Sequence, residues 1–253
     1  MSSKIVFITG ATSGIGAACA HIFASHGYNL ILNARKAIAL EELRLRLQSQ
    51  YNIAVHTVCF DVRDRKTAKE AISNLPPEFA SIDILINNAG LALGIDKEYE
   101  GNEEDYDTMI DTNITALLML TRMVVPQMIQ RGRGHIINIG SVAGDAAYPG
   151  GSVYCATKAA VKILSDGLRI DLVDTPLRVT NIKPGLVETN FSITRFGGDT
   201  TRASKVYEGI QPLRGEDIAD VVYYAASAPA HVQIAEVLVL ATNQANGSII
   251  HRQ

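Results

Sequence analysis

Residues 4–16 of the chain read KIVFITGATSGIG, an apolar β-rich run that leads directly into a glycine-rich turn. The run predicts a buried strand over residues 4–9, and the apolar spacing after it predicts a helix over 16–26. Glycines at such a junction permit a tight turn and let backbone N–H groups approach a pyrophosphate at the helix N-terminus. We therefore expect a phosphate-binding turn, with a tight turn that binds nothing as the alternative. Its expected members are Gly10, Thr12, Ser13, Gly14, Ile15 and Gly16.

The alternation of short apolar runs with longer periodic runs continues along the whole chain. Apolar strands separated by helices indicate a parallel sheet covered on both faces. Right-handed crossovers then make this a doubly wound, Rossmann-type α/β fold, expected as a single domain over residues 1–253. Pro126 is expected to kink or end a long helix. Further strands are predicted at 29–33, 56–60, 82–86, 135–139, 179–182 and 236–240, and further helices at 39–50, 102–129, 153–171 and 216–227.

A long loop rich in glycine and threonine is predicted at residues 188–201, directly after the sixth predicted strand. Doubly wound sheets bind ligands outside the carboxyl ends of their strands. We therefore expect a mobile substrate lid around residues 188–212. A solvated insertion is the alternative.

The composition excludes several classes of protein. The chain has 253 residues, of which 47% are hydrophobic, and its formal net charge is −3. The hydrophobic content excludes intrinsic disorder, and the charge provides no basic field for nucleic acid or anionic lipid. No apolar run reaches the ~20 residues needed to span a bilayer, and the first residues lack the regions of a signal peptide. The cysteines and histidines show no ligand spacing, so we expect no metal, no membrane and a cytoplasmic protein.

The end of the second predicted strand discriminates between nicotinamide cofactors. A carboxylate there would bond the ribose 2′-hydroxyl of NAD, whereas an arginine accommodates the 2′-phosphate of NADP. Residues 33–36 read Asn-Ala-Arg-Lys, with two cations and no carboxylate. Arg35 offers a planar fork to a phosphate, so the sequence favours NADP(H) over NAD(H). The alternative for Arg35 is an ordinary exposed residue at a helix entry.

Two further strand ends carry candidate cofactor contacts. Asp61 and Val62 follow the third predicted strand. The carboxylate there either accepts bonds from an adenine amino group or caps the next helix. The segment after the fourth predicted strand, Asn87-Asn88-Ala89-Gly90, is small enough for its backbone to lie against a ribose. A plain exit from the strand is the alternative.

Four polar residues form the candidate catalytic set. Tyr154 and Lys158 are one helical turn apart, so their side chains share a face. An ammonium near a phenol favours the phenolate and lowers a pKa that starts at about 10. Ser141 ends the fifth predicted strand, so its hydroxyl is expected near that of Tyr154. Asn113 lies inside a predicted helix, where a polar amide has mediocre propensity, and is suited to hold a water that relays protons to the lysine.

Taken together, these motifs resemble the short-chain dehydrogenase/reductase family over nearly the whole chain. The resemblance is carried by TGATSGIG, NNAG, the helix with Asn113, Ser141, YCATK and residues 183–189, which read KPGLVET. It implies that Tyr154 is the general acid/base and that Ser141 polarises the substrate carbonyl. It also implies that Lys158 binds the nicotinamide ribose and lowers the pKa of the tyrosine, while Asn113 anchors the relay water. Contacts to the nicotinamide carboxamide are implied for Pro184, Gly185, Val187 and Thr189.

More narrowly, the chain resembles the NADP-dependent 3-hydroxy acid dehydrogenases and sulfoacetaldehyde reductases of that family. Residues 148–151, 188–196 and 251–253 carry this resemblance. It implies a small anionic substrate such as malonic semialdehyde, a serine-like 3-hydroxy acid or sulfoacetaldehyde. A small anion has little apolar area, so its affinity must come from charge-assisted bonds. Arg195 is the candidate anion anchor, with Tyr148 and Gln244 beside it; for Arg195 the alternative is a surface residue, and for Gln244 a turn residue.

Other functions stay open at this point. Within the same family, a 3-oxoacyl carrier-protein reductase or a sugar or polyol dehydrogenase would use the same catalytic residues. A non-catalytic NADP-sensing regulator would be expected to lose them, yet all four are present. The family resemblance also implies a homotetramer, in which the helices that carry Asn113 and Tyr154 pair between subunits and residues 251–253 reach a neighbour.

Overall fold

A computed structural model describes residues 3–253. The seven strands are β1 (Ile5–Ile8), β2 (Asn29–Ala34), β3 (Val55–Cys59), β4 (Ile82–Asn87), β5 (His135–Ile139), β6 (Arg178–Pro184) and β7 (Glu236–Val239). They form one sheet in the order β3-β2-β1-β4-β5-β6-β7, and every neighbouring pair is parallel. The chain reverses its direction of winding between β1 and β4. This is the doubly wound α/β fold predicted from the sequence, and the prediction is confirmed.

Helices cover both faces of the sheet. They are α1 (Gly14–Ser25), α2 (Ala37–Gln50), α3 (Arg65–Ser73), α4 (Glu103–Ile110), α5 (Ala116–Arg131), α6 (Ser152–Asp171), α7 (Asn190–Arg195), α8 (Thr200–Lys205) and α9 (Gly215–Ser227). Phe23, Leu43 and Val222 bring α1, α2 and α9 into the core on one face. Ala68 and Leu120 bring α3 and α5 into the core on the other, where α6 packs as well.

The long helical stretch after β4 is interrupted near Asn113 and not at the proline. A π-turn over Asp111–Thr115 separates α4 from α5. Pro126 lies inside α5, which continues to Arg131, so the prediction that the helix ends at this residue is wrong. Pro126 is exposed, and so is Arg122, whose carbonyl oxygen has no N–H partner at the proline. Buried neighbours on both sides, such as Val124 and Met128, hold the helix against the sheet.

The same stretch, Glu103–Arg131, satisfies a length and hydropathy test for a membrane span, with a mean hydropathy of 1.2 over its best window. Half of that window is buried inside the fold. The apolar side chains of Leu117, Leu120 and Val124 are buried within the protein. In this structure the stretch is therefore a core helix pair of an α/β domain.

The predicted lid contains two short helices instead of a plain loop. Thr189 caps α7 by accepting a hydrogen bond from the Phe191 N–H, and Asp199 caps α8 in the same way through the Arg202 N–H. A bridge from Val187 to Leu213 joins the two ends of the segment. Arg252 donates to the carbonyl oxygens of residues 206 and 208, so this part of the C-terminal segment packs on the lid of its own chain.

Candidate active site

The carboxyl ends of the strands open into one cleft of about 660 Å³. The cleft lies where the winding reverses, between β1 and β4, which is where doubly wound sheets bind ligands. One end is lined by the glycine turn and by the ends of β2 and β3. The other end is covered by residues of the lid, among them Phe191 and Arg195.

The glycine turn leaves the N-terminus of α1 open toward the cleft. Gly10 and Gly14 have φ angles of +63° and +51°, which side-chain-bearing residues rarely adopt. A Cβ on Gly16 would overlap the carbonyl oxygen of Gly10, so only glycine fits there. Ser13 is the N-cap residue of α1 but makes no side-chain capping bond. The first N–H groups of the helix are therefore free of a side-chain cap and suited to a phosphate.

The side chain of Asn88 holds the glycine turn in place. Its amide nitrogen donates to the carbonyl oxygens of Thr9 and Gly10, at 2.8 and 3.2 Å. The Thr9 hydroxyl accepts from the backbone N–H groups of Asn88 and Ala89 in return, at 3.0 Å each. The ends of β1 and β4 are thus locked together at the floor of the cleft.

A cationic corner lies at the far end of the cleft. Arg35 and Lys36 follow β2 directly, are exposed and line the cleft. Within residues 3–253, Arg35 makes no salt bridge, so its guanidinium is available to a phosphate. Asp61 lies beside it and is paired with Arg63 at 2.8 Å. The hydrogen bonds from Arg63 hold the pKa of Asp61 below its usual range, so this carboxylate stays charged.

At the centre of the cleft, Tyr154 and Lys158 lie on the same face of α6. Tyr154 is buried, and the ring of Phe191 covers it at a centroid distance of 5.5 Å. The Lys158 Nζ donates to the Ile139 carbonyl at 2.8 Å and lies 5.9 Å from the centre of the Tyr154 ring. The Ser141 Oγ accepts from the Ala143 N–H at 3.0 Å, which leaves its own proton free to be donated.

The electrostatics of this centre differ from the expectation that the lysine lowers the pKa of the tyrosine. Burial raises the pKa of Tyr154, and the interaction with the Ser141 hydroxyl opposes this only in part. Burial also lowers the pKa of Lys158 to about 8. The ammonium is directed to the Ile139 carbonyl and not to the phenol oxygen. Tyr154 is therefore held in its protonated form, which is the form that can give a proton to a substrate.

Arg195 extends from α7 of the lid across the other end of the cleft. Its guanidinium donates to Gly94 O at 3.2 Å, to the Tyr148 hydroxyl at 2.9 Å and to Gly150 O at 3.2 Å. It also lies 5.3 Å from the centre of the Tyr148 ring. Three of the five guanidinium N–H donors are used in this way, which leaves two. The arginine thus joins the lid to two loops and still offers a fork to an anion.

Gln244 lines the cleft, but its amide is occupied. Its oxygen accepts from the Leu186 N–H at 2.9 Å, and its nitrogen donates to Asn246 O at 3.0 Å. The side chain therefore fastens the backbone after β6 to the loop after β7. No group of three or more potential metal ligands occurs among residues 3–253.

A sequence model of the short chain dehydrogenase family matches residues 4–197, more than half of the chain. The chain belongs to the short-chain dehydrogenase family. An NADP-dependent 3-hydroxy acid dehydrogenase of Schizosaccharomyces pombe is 43% identical over 254 residues, covering 100% of this chain and 98% of the relative. Sulfoacetaldehyde reductase 2 of Chromohalobacter salexigens is 44% identical over 244 residues, or 96% of each protein. A closed form of serine dehydrogenase complexed with NADP+ has a TM-score of 0.92 and 43% identity, covering 98% of this chain and 100% of that one.

This short-chain dehydrogenase brings most of the residues proposed from its sequence into the one cleft. They come from the loops after all seven strands in the described part of the chain, from α6 and from the lid, which lie far apart in the sequence. The proposed residues that line the cleft are Gly10, Thr12, Ser13, Gly14, Ile15, Arg35, Asp61, Val62, Ala89, Gly90, Ser141, Tyr148, Tyr154, Lys158, Pro184, Gly185, Val187, Thr189, Arg195 and Gln244.

Three proposed residues of the dehydrogenase lie outside the cleft lining. Gly16 lies behind the glycine turn, where it allows close packing. Asn87 is buried under the sheet and donates to the side chains of Thr121 and Asn138, so a direct cofactor contact by its side chain does not fit this structure. Its neighbour Asn88 faces the cleft instead, because successive residues of a strand point to opposite faces.

Asn113 is the third proposed residue that lies outside the cleft lining. Its side chain accepts from the Leu91 N–H at 2.9 Å and donates to Leu91 O and to the Thr157 hydroxyl, at 2.8 and 3.0 Å. Only one lone pair of its oxygen is left for a water. A Cβ on Gly90 would lie 3.2 Å from this oxygen and 3.4 Å from Lys158 Nζ, so both atoms border the same small space.

The helix cap proposed as one alternative for Asp61 belongs to another residue. Asp64 caps α3 by accepting from the backbone N–H groups of Lys66 and Thr67. Sequence reasoning also missed Phe191 and Tyr207, which line the cleft from the lid. Nothing in the periodicity of residues 188–212 indicated which side chains turn inward.

Proposed function

We propose that this dehydrogenase is an NADPH-dependent reductase of short aldehydes that carry an acidic group, working reversibly on the corresponding hydroxy acids. The named relatives include an NADP-dependent dehydrogenase, a dehydrogenase complexed with NADP+ and a reductase of an aldehyde, and the residues proposed as catalytic in this chain suit the same chemistry. The observation that carries the choice of substrate is Arg195. It is a cation held over the cleft with two donors unused, on the segment that covers Tyr154.

The residues of the cleft fit NADP(H). The open N-terminus of α1 and its glycine turn suit the pyrophosphate, and Arg35 suits a 2′-phosphate. Bound NADPH supplies the hydride. Lys158 retains two N–H donors beyond its bond to Ile139, which are available to ribose hydroxyl groups.

The chain's own part in the reaction is to hold the carbonyl and deliver a proton. Ser141 donates its free hydroxyl proton to the carbonyl oxygen of the substrate and so polarises it. Tyr154 donates its proton to the same oxygen as negative charge develops there. Burial raises the pKa of Tyr154, so the phenol is protonated at neutral pH and can act as the proton donor. Lys158 and a water in the space beside Gly90 then return a proton to the phenol.

The anionic end of the substrate is held by Arg195. Two N–H donors on one planar guanidinium match two oxygens of a carboxylate or sulfonate. Tyr148 and the carbonyls of Gly94 and Gly150 fix the plane of the guanidinium, so little conformational entropy is lost when the anion binds. Phe191 lies over the Tyr154 ring and excludes water from the reacting carbonyl.

A carrier-protein substrate fits this cleft less well. Residues 96–104 follow Gly94, which accepts a hydrogen bond from Arg195, and carry the exposed carboxylates Asp96, Glu98, Glu103 and Glu104. These carboxylates would repel an acidic carrier protein that docks on this segment. A small free acid does not need to dock on this surface.

The test is an assay of NADPH oxidation with four carbonyl compounds. We expect turnover of malonic semialdehyde and sulfoacetaldehyde at KM values far below that of propionaldehyde, which lacks the anion. Acetoacetyl thioester serves as the competing substrate. Equal kcat/KM for propionaldehyde and the acids would contradict the anionic substrate, and preference for the thioester would favour the carrier-protein reductase.

We also propose that the protein is a homotetramer of the cytoplasm. The outer surfaces of α5 and α6 carry exposed apolar side chains, notably Leu118, Ile163 and Ile170, which a second copy would cover. The free thiols of Cys19, Cys59 and Cys155 agree with a reducing compartment. Light scattering of the purified protein should give four times the chain mass, and Ile163→Glu with Ile170→Glu should give a smaller species.

A further inference from the structure

A partly buried ion cluster lies behind the substrate end of the cleft, outside the catalytic set. Lys183 in β6 has a side chain that is 7% exposed. Its Nζ donates to Asp145 Oδ1 and to Glu236 Oε1, each at 2.8 Å. Glu236 is further held by the amide of Asn181 at 3.1 Å. An ammonium this deeply buried needs a carboxylate partner, and this one has two.

The cluster connects two parts of the cleft wall. Lys183 comes immediately before Pro184 and Gly185, which line the cleft. Asp145 lies in the loop between Ser141 and Tyr148, whose side chains also line it. Glu236, the other partner of the lysine, belongs to β7 and accepts a further bond from β6. One ion pair of Lys183 therefore connects the sheet to the loop through Asp145, and the other stays within the sheet through Glu236.

The loop over residues 142–150 begins with the buried side chains of Val142 and Ala143 and has few other polar attachments. Its backbone hydrogen bonds are short-range turns, such as Gly144 N–H to Ser141 O and Asp145 N–H to Val142 O. Within residues 3–253, its polar side-chain attachments to distant segments are the Lys183–Asp145 pair and the bonds from Arg195 to Tyr148 and Gly150. Arg195 belongs to the lid, so that attachment depends on the lid. Lys183 belongs to the sheet and is fixed.

We propose that Lys183 is a positioning residue, which holds the Ser141–Tyr148 loop through Asp145 at the distance where both hydroxyls meet the substrate. Glu236 pairs with the same lysine from the neighbouring strand β7, on the side away from the strand that leads into the loop, and its own bonds stay within the sheet. Gly144 lets the loop pack closely against α6, because a Cβ there would lie 2.7 Å from the Lys158 carbonyl oxygen. This inference rests on the proposed carbonyl reduction at Ser141.

The proposal separates turnover from stability. Asp145 is 38% exposed, so solvent screens its ion pair and the contribution to folding is modest. Turnover depends more steeply on the loop, because small displacements of groups that orient a substrate slow a reaction strongly. Cofactor affinity should not change, since the glycine turn and Arg35 lie at the other end of the cleft.

The experiment compares two isosteric variants that each remove one charge from the same lysine, Asp145→Asn and Glu236→Gln. For malonic semialdehyde we expect Asp145→Asn to lower kcat by about tenfold and to raise KM, with the Kd for NADPH unchanged. Glu236→Gln should leave kcat and KM within about twofold of the wild type. Hydrogen exchange of the amides at 142–150 should be faster in Asp145→Asn only.

Each outcome decides the proposal. Equal turnover of the two variants overturns it, and so does slower turnover of Asp145→Asn without faster exchange at 142–150. Lys183→Arg should retain most of the activity, because it keeps the charge, and Lys183→Met should behave as Asp145→Asn. If Lys183→Met does not fold, Asp145→Asn and Glu236→Gln still decide the proposal. If the wild type reduces no carbonyl compound, the proposed function fails, and the exchange data alone still decide whether the lysine holds the loop.

Discussion

The two ends of the cleft are built in different ways. At the cofactor end, the walls are mostly backbone: Gly10 and Gly14 in left-handed conformations and the uncapped start of α1. At the substrate end, the walls are side chains from four separate segments, with Arg195 bonded to Tyr148 and to two glycine carbonyls. The first end is formed by one turn of the chain. The second exists only when the lid, two loops and the end of β6 have come together.

This difference has a physical consequence for how each end tolerates change. A site made of backbone N–H groups recognises the pyrophosphate that all dinucleotides share. A glycine in such a site can be replaced only where a Cβ fits. A side-chain site recognises charge and shape, so one substitution can change the ligand without changing the fold. Substitutions at either end, and at the point where the ends meet, can therefore test whether the two ends act independently.

Tyr154 lies where the two ends meet, and its loss should stop the reaction without affecting either end. We expect Tyr154→Phe to lower kcat by about 10³-fold, because the general acid is gone while the ring and its packing against Phe191 remain. The Kd for NADPH, measured by fluorescence titration, should stay within about twofold. Residual activity near that of the wild type would show that another group delivers the proton.

Arg35 and Arg195 form a matched pair of cations at opposite ends. Arg35→Ala should raise the KM for NADPH by about 10- to 100-fold and leave that for NADH unchanged, since only NADPH carries the additional phosphate. Arg195→Ala should raise the KM for malonic semialdehyde by a similar factor and leave that for propionaldehyde unchanged. Steady-state kinetics with both cofactors and both aldehydes checks the pair. If either variant raises the KM values at both ends of the cleft by the same factor, the two ends do not act independently.

Gly90 borders the space between Asn113 and Lys158. Gly90→Ala should fill this space, displace the relay water and lower kcat by about tenfold, while substrate KM changes little. Gly167→Ala is the control, because a Cβ on that glycine of α6 has no neighbour within 4 Å. A kcat equal to the wild type in Gly90→Ala would exclude a relay through this space.

His135 lies in β5, outside the cleft lining, and should affect stability alone. Its Nε2 bonds to the Thr180 hydroxyl at 2.8 Å, and burial lowers its pKa to about 3. The unfolded chain, with a pKa near 6.5, binds the proton more tightly. The contribution of His135 is therefore complete above about pH 6.5 and decreases by up to ~1.4 kcal/mol per pH unit below it. Urea unfolding between pH 7 and 4 should show a shallower pH dependence in His135→Gln; identical slopes would contradict the assignment.

The sequence predicted the fold and the cofactor end well because both depend on local patterns. The run KIVFITGATSGIG specifies strand, turn and helix within thirteen residues, and the cleft contains Gly10, Gly14 and Arg35 as expected. Confirmation of the fold and of the family followed from the sheet order and the family match. The sequence pattern did not distinguish Asn87, whose side chain is buried at the end of β4, from Asn88, Ala89 and Gly90, which follow it and line the cleft.

The substrate end was harder to predict for a physical reason. Arg195 was named for its charge, but its bonds to Gly94 and Gly150 join positions that are 101 and 45 residues away, which no local pattern contains. The side chain of Gln244 lines the cleft, but one of its N–H groups and one lone pair of its oxygen are bonded to backbone groups, which no local pattern indicates. Burial raises the pKa of Tyr154 and so opposes the lowering expected from the lysine, and this desolvation depends on the assembled core.

The π-turn at Asp111–Thr115 adds one residue to what would otherwise be a continuous helix. Removing a residue here, for example Ile114, would restore regular winding and leave α4 nearly in phase with α5, but it would change the direction of the side chains within the turn itself. Asn113 would then lose Leu91 and Thr157, and the cleft would lose its support on that side. The π-turn therefore orients the residues around Asn113. A variant in which this helix is made regular to increase stability should be well folded but inactive.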